Sequence, residues 1–295
     1  MKFKFWGVRG SIPSPGPDTA RYGGNTTCIE VRTDDGTLIV IDGGTGIFAL
    51  AQSLPPGPVQ ANIFITHSHW DHIHGLPFFT PLFVRGSRVR LHGAPDRATG
   101  NGIEHVMAIQ LQNSYFPVSE AAMAATIEYQ TLDIGVPIAV ADAMVGNTEM
   151  NHPVTDLGYR IECAGKTLFF SGDHEPHYNI HPPGHPLHAG REREIEERTL
   201  AIDAAVRGID ALIMDCSYTR EEYPAKRGWG HGTFDAAFAL ALRCGVKRLY
   251  CTHHEPSRGD AELEAVFADV MARHAPLPDS LQVFLAYEGL EVELS

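Results

Sequence analysis

Four histidines and an aspartate crowd the stretch FITHSHWDHIHGLPFF: His67, His69, Asp71, His72 and His74. Imidazole nitrogen and carboxylate oxygen gathered this densely are the donors of a divalent metal site. His67 and His69 lie two apart, so in an extended segment both face the same side. Asp71 and His72 follow after the chain turns and can address a second ion. One such motif rarely fills two coordination spheres, so further ligands are expected at other strand ends. Three segments supply them: GNTEMNHP with His152, TLFFSGD with Asp173, and RLYCTHHEP with His253. Asp173 directly follows an apolar run, where a carboxylate can bridge two ions. No thiolate accompanies the set, which argues against a structural zinc knuckle.

These residues need elements to position them. KFKFWGV, TCIEVRT, TLIVIDGG, ANIFITH, VRLHGAP and ATIEYQTL read as short strands bounded by turn residues. GIEHVMAIQLQNSYFP reads as a helix ending before Pro117. PIAVADAMVGN, GYRIECAG and KTLFFSGD continue the strands, and HEPHYNIHPPGHPLHAG is a loop without periodic pattern. Helix and strand then alternate: EREIEERTLAIDAAVRG, DALIMDCSYT, TFDAAFALALRCG closed by Gly245, KRLYCTHHEP and AELEAVFADVMARHA. LQVFLAYEGLEVEL completes the order. The expected fold class is α/β, with packed sheets inside and helices outside. Residues 1–295 read as a single domain, with a helical insertion over 101–125 and a lid loop over 174–192.

Composition narrows the function. The 295 residues carry a formal net charge of −13, which opposes any extended nucleic-acid surface. No apolar run approaches the roughly 18 residues needed to span a bilayer, and MKFKFWGVRGSI lacks a signal-peptide core. A cytoplasmic protein without membrane contact is the expectation. Cys28, Cys163, Cys216, Cys244 and Cys251 form no CxxC pair and read as reduced and buried.

THSHWDH, with IDGG upstream and SGD downstream, resembles the metallo-β-lactamase superfamily. The resemblance implies a four-layer αββα sandwich with two metal ions at one sheet edge. Carried over, it gives His67, His69 and His152 to one ion, Asp71, His72 and His253 to the other, and Asp173 to both. Asp42 of IDGG would orient ligands rather than bind metal. GHGTFDAA resembles the GHST segment of the transfer-RNA 3′-processing endonucleases and their phosphodiesterase relatives, making His231 an acid or charge stabiliser. MDCSYT matches their HEAT-type segment, so Asp215 would orient His231. Two departures stand out: Gly232 in place of Ser, and Asp215 in place of Glu.

The resemblance implies a dinuclear metal-dependent hydrolase, foremost a phosphodiesterase using a metal-bridging hydroxide that Asp71 also contacts. A lactone, thioester or other carboxylic ester hydrolase is the alternative, and a non-hydrolytic metal-binding module ranks third. Zinc is expected first, with manganese or iron as alternatives, and no organic cofactor. Without the long Gly-rich basic arm of the tRNA-processing enzymes, a small or cyclic phosphodiester is the expected partner. The loop histidines His177, His181, His185 and His188 are candidate substrate contacts if that loop is a lid. Arg191 and Arg193 could meet phosphate, although a helix-start charge run explains them too. The apolar segment 102–125 suggests a homodimer contact or a cover over the cleft.

Overall fold

The computed structural model describes residues 1–294. Its first sheet is built from β1 (Lys2–Gly7), β2 (Cys28–Arg32), β3 (Leu38–Ile41), β4 (Gln60–Ile65), β5 (Arg88–Gly93) and β6 (Thr126–Thr131). The second contains β7 (Ile138–Val140), β8 (Ala143–Glu149), β9 (Leu157–Cys163), β10 (Lys166–Phe170), β11 (Ala211–Asp215), β12 (Arg248–Thr252) and β13 (Gln282–Leu285). The closing strand β14 (Glu291–Glu293) returns to the first sheet, beside β1. The strand orders are β14-β1-β2-β3-β4-β5-β6 and β13-β12-β11-β10-β9-β8-β7.

Side chains alternate faces along a strand, so a strand buried on both faces must be apolar throughout. LIVI of β3 shows this directly. Ile39 and Ile41 enter the core between the sheets with Phe3, Phe5, Phe64, Tyr159 and Phe170. Leu38 and Val40 face the other way, into a second core. That core also takes Ile47 and Leu50 of α1 (Gly46–Ser53) and Met107 of α3 (Ile103–Gln110); the one-turn α2 (Trp70–Ile73) lies between them in sequence. β11 splits likewise: Ala211 and Ile213 point between the sheets, while Leu212 and Met214 point outward. The outward pair packs with α4 (His188–Val206), α6 (Phe234–Cys244) and α7 (Asp260–His274), beyond the short α5 (Tyr223–Lys226). Helix, sheet, sheet, helix is therefore the layer order, as expected.

Strand direction makes the site. β3, β4 and β5 run parallel, as do β10, β11 and β12. β8 is antiparallel to β9, which is antiparallel to β10, so β8 shares the direction of β10. The carboxyl ends of β3, β4, β8, β10, β11 and β12 thus supply the residues that meet at the cleft, where open α/β sheets typically bind ligands.

Several local readings change. IFALAQS, placed among turns and strands, forms α1. The helix expected up to Pro117 ends at Gln110; Leu111 leaves the helical region at ψ 7, and turns over Gln112–Phe116 follow. Gln, Asn and Ser in that stretch favour local turns over a further helical turn. PIAVADAMVGN is two strands, because Ala141 turns the chain at φ 51 between β7 and β8. The loop after Asp173 ends at Leu187, so Arg191 and Arg193 lie inside α4. All five cysteines are free and buried. Among the described residues no helix is long and apolar enough to cross a membrane.

Candidate metal centre

Asp173 lies at the middle of the cleft, 1% exposed, and its two carboxylate oxygens face different partners. Oδ2 is 3.5 Å from His67 Nε2 and 3.8 Å from His152 Nε2. Oδ1 is 3.3 Å from His72 Nε2 and 3.0 Å from His253 Nε2. His69 Nδ1 joins the first group, 3.0 Å from His152 Nε2. Asp71 Oδ2 joins the second, 3.2 Å from His253 Nε2 and 3.3 Å from His72 Nε2. All seven residues expected to bind metal are therefore brought together, in two sets that share Asp173.

The donor atoms fit cations better than they fit one another. His67 Nε2, His72 Nε2 and Asp173 Oδ1 are fully buried without a hydrogen-bond partner among the described residues. Buried polar atoms seldom go unpaired, so a convergent group of them points to an ion. One set of three imidazoles and one of two imidazoles with a carboxylate, sharing Asp173, match zinc, manganese or iron chemistry.

The far nitrogens of the rings are held from behind. His72 Nδ1 lies 2.7 Å from Asp42 Oδ2, and His67 Nδ1 lies 3.0 Å from Asp156 Oδ1. His152 Nδ1 donates to the Gly230 carbonyl at 2.9 Å, and His253 Nδ1 lies 2.9 Å from Ser217 Oγ. Such partners fix ring orientation and leave Nε2 free to coordinate. Asp42 thus sits where the resemblance placed it. Asp156 and Ser217 were not anticipated. Burial and then the charge of Asp173 push the Asp156 carboxyl well above its usual range. The backbone N–H of Ser11 donates to Asp71 Oδ2 at 2.7 Å, and Gly10 must be glycine because a Cβ there would lie 2.3 Å from the His253 ring.

The second predicted pair is also assembled. His231 Nδ1 is 3.1 Å from Asp215 Oδ2, and its ring stacks on His253 with centroids 4.8 Å apart. Asp215 is buried and accepts from Ser217 N, Ser217 Oγ, His174 N and Gly232 N besides. Burial alone would lower the His231 pKa, but Asp173 and Asp215 outweigh it and raise the imidazole to about 9.

Other histidines lie elsewhere. His74 is exposed and edges Trp70, and His254 is buried with Nε2 on the Ala286 carbonyl. His177, His181, His185 and His188 join no metal-type cluster among the described residues. His188 instead reaches the His181 carbonyl, and Arg191 pairs with Glu194 at 2.7 Å.

Residues 37–254 match the beta-lactamase superfamily domain. The chain belongs to this superfamily. A ribonuclease Z from Kineococcus radiotolerans is 27% identical over 283 residues, covering 86% of this chain and 85% of its own length. The metallo-beta-lactamase fold protein YhfI from Bacillus subtilis superposes with a TM-score of 0.68 at 17% identity, over 99% of both chains. A diphosphatase of the PhnP family superposes at 0.65 with 20% identity, over 100% of this chain and 98% of its own. At those identities the two structures show the shared fold.

Proposed function

We propose that this superfamily member is a dinuclear metal-dependent phosphodiesterase acting on a small phosphodiester such as a cyclic one. The observation that carries the reading is the division of Asp173: one oxygen toward His67 and His152, the other toward His72 and His253. His67, His69 and His152 would hold one ion, and Asp71, His72 and His253 the other, with Asp173 shared. Bound there, divalent cations supply Lewis acidity and neutralise charge growing on phosphate oxygens. Zinc suits the donors, as do manganese and iron.

The chain's own residues supply the rest. Asp215 faces His231 Nδ1, which leaves Nε2 as the proton-donating atom. The Asp215 carboxylate at Nδ1 favours the protonated ring, which can give its proton to a departing alkoxide. Asp71, held by Ser11 N–H, keeps an oxygen at the centre of the second set. A cavity of about 260 Å³ beside His152 and Gly230, lined also by Tyr178, Ile180 and Arg191, has room for the remainder of a small ester. In this reading residues 1–295 form one domain, and the 174–187 loop borders that cavity.

The relatives named ribonuclease Z favour a second reading, in which the diester belongs to RNA. A net charge of −13 disfavours a long polyanion, and so supports the smaller ester. The test compares metal-loaded wild type with His231→Ala on bis-p-nitrophenyl phosphate, cyclic nucleotides, an RNA oligomer and a lactone. The expected result is diester hydrolysis, with His231→Ala slowing alkoxide-leaving substrates by about 10² or more. Turnover of the lactone with every diester untouched would overturn the phosphodiesterase reading. A far higher kcat/KM on the RNA would overturn only the small-substrate half.

A further inference from the structure

One buried carboxylate beside the centre takes no part in either ligand set. Glu175 is 3% exposed and lies two residues beyond Asp173. Its Oε1 accepts from Tyr223 Oη–H at 2.7 Å and from Gly228 N–H at 2.8 Å. Its Oε2 accepts from Gly228 N–H and Gly230 N–H, each at 3.1 Å. Its backbone is tied to another segment: Glu175 N–H donates to the Asn151 carbonyl at 3.0 Å, and Asn151 Nδ2 donates back at 2.8 Å. One residue therefore joins three stretches, and each carries a group of the site: His152, Asp173 and His231.

We propose that Glu175 is a positioning residue, a latch that holds the 223–231 segment against the metal centre and so places His231 and the Gly230 carbonyl. The proposal rests on the phosphodiesterase reading for its catalytic consequence, though not for the latch itself. Gly228 and Gly230 adopt φ +88 and +89, values that turn both N–H groups toward a single anion. Trp229 between them is 58% exposed and contributes no buried anchor. Hydrogen bonds from neutral donors to a buried carboxylate are among the stronger ones, and removing the acceptor strands all three donors. The Gly230 carbonyl is also the partner of His152 Nδ1, so the same latch reaches a metal ligand.

A leaving-group comparison separates positioning from general support of the fold. Nitrophenolate departs without a proton, whereas an alkoxide needs one from His231. With metal content matched, Glu175→Gln and Glu175→Ala should lose about 10- to 100-fold on a cyclic nucleotide, yet under about threefold on bis-p-nitrophenyl phosphate. His231→Ala should show the same selectivity, and combining it with Glu175→Ala should add no further selective loss. Tyr223→Phe removes one donor and should give a smaller loss in the same direction. Limited trypsin digestion of chelator-treated protein reads the latch without activity: cleavage after Arg227, which is exposed, should quicken about tenfold or more in Glu175→Ala. Equal losses on both esters, or unchanged cleavage, would overturn the proposal. If wild type hydrolyses no diester, the phosphodiesterase reading falls separately, and the trypsin result alone decides the latch.

Discussion

Replacing Asp156 should weaken one metal ion and spare the other. His67 Nδ1 lies 3.0 Å from Asp156 Oδ1, and both side chains are wholly buried. His72 has its own carboxylate, Asp42, at 2.7 Å. Thr66 Oγ1 lies near both rings, 3.2 Å from His67 Nδ1 and 3.3 Å from His72 Nδ1, but each ring has its own carboxylate, and that of Asp156 faces His67. Loss of such an outer partner typically weakens metal binding about 10- to 100-fold, or about 1.4 to 2.8 kcal/mol. Asp156→Asn keeps an acceptor oxygen of similar shape facing His67, so its loss should stay near tenfold. Ala removes the partner altogether and should approach a hundredfold. Stepwise competition against a chelator of known affinity would show one step displaced and the other unmoved, with circular dichroism confirming the fold. The reasoning is refuted if both steps keep their wild-type positions in both variants, or if the displaced ion is the one lost in Asp42→Asn.

Two further outcomes follow from particular side chains. His92 is 1% exposed, and burial, followed by the charge of Arg90, lowers its pKa to about 4. The unfolded chain therefore binds this proton first, so the contribution of His92 to stability should decline as pH falls from about 6.5 to 4 and level off below that, by about 3 kcal/mol in total. His92→Phe should flatten that part of the profile in denaturant titrations of chelator-treated protein; an unchanged slope would count against it. Gly230 combines φ +89 with a Cβ position 2.3 Å from His152 Nδ1 and 2.5 Å from Pro153 Cδ, whereas Gly36 has φ +88 and open space. Both alanine variants should therefore lose about 1 to 2 kcal/mol to backbone strain, but only Gly230→Ala should also release metal, measured by atomic emission.

The legible part of the site was the part written locally. HxHxDH places four donors on one turn, and an apolar run ended by His or Asp marked His152, Asp173 and His253. His74 shows where residue type alone misleads. It caps α2, and two residues along a helix rotate by about 200°, so it faces away from His72 and into solvent. His254 is turned inward by the left-handed His253, φ 57, and becomes a buried partner of Ala286. Asp156 and Glu175 carried no comparable signal. Asp156 reaches His67 across 89 positions through the packing of two sheets, and an Asp just before a strand reads as an ordinary turn residue. Glu175 stands in a loop rich in Pro and His, and its donors lie 48 to 55 positions downstream. α1 was hidden because IFALAQS is short and Thr45 makes no side-chain cap. The strands, by contrast, were readable because apolar runs such as LIVI and ALIMD are buried on both faces.

The central claim is that two cations share Asp173. Elemental analysis of purified protein after loading and desalting tests it directly, with Asp173→Ala alongside. Two equivalents of divalent metal per wild-type chain, falling to one or none in the variant, is the predicted result. A wild-type chain that retains no metal, or a variant that retains two equivalents, would contradict it.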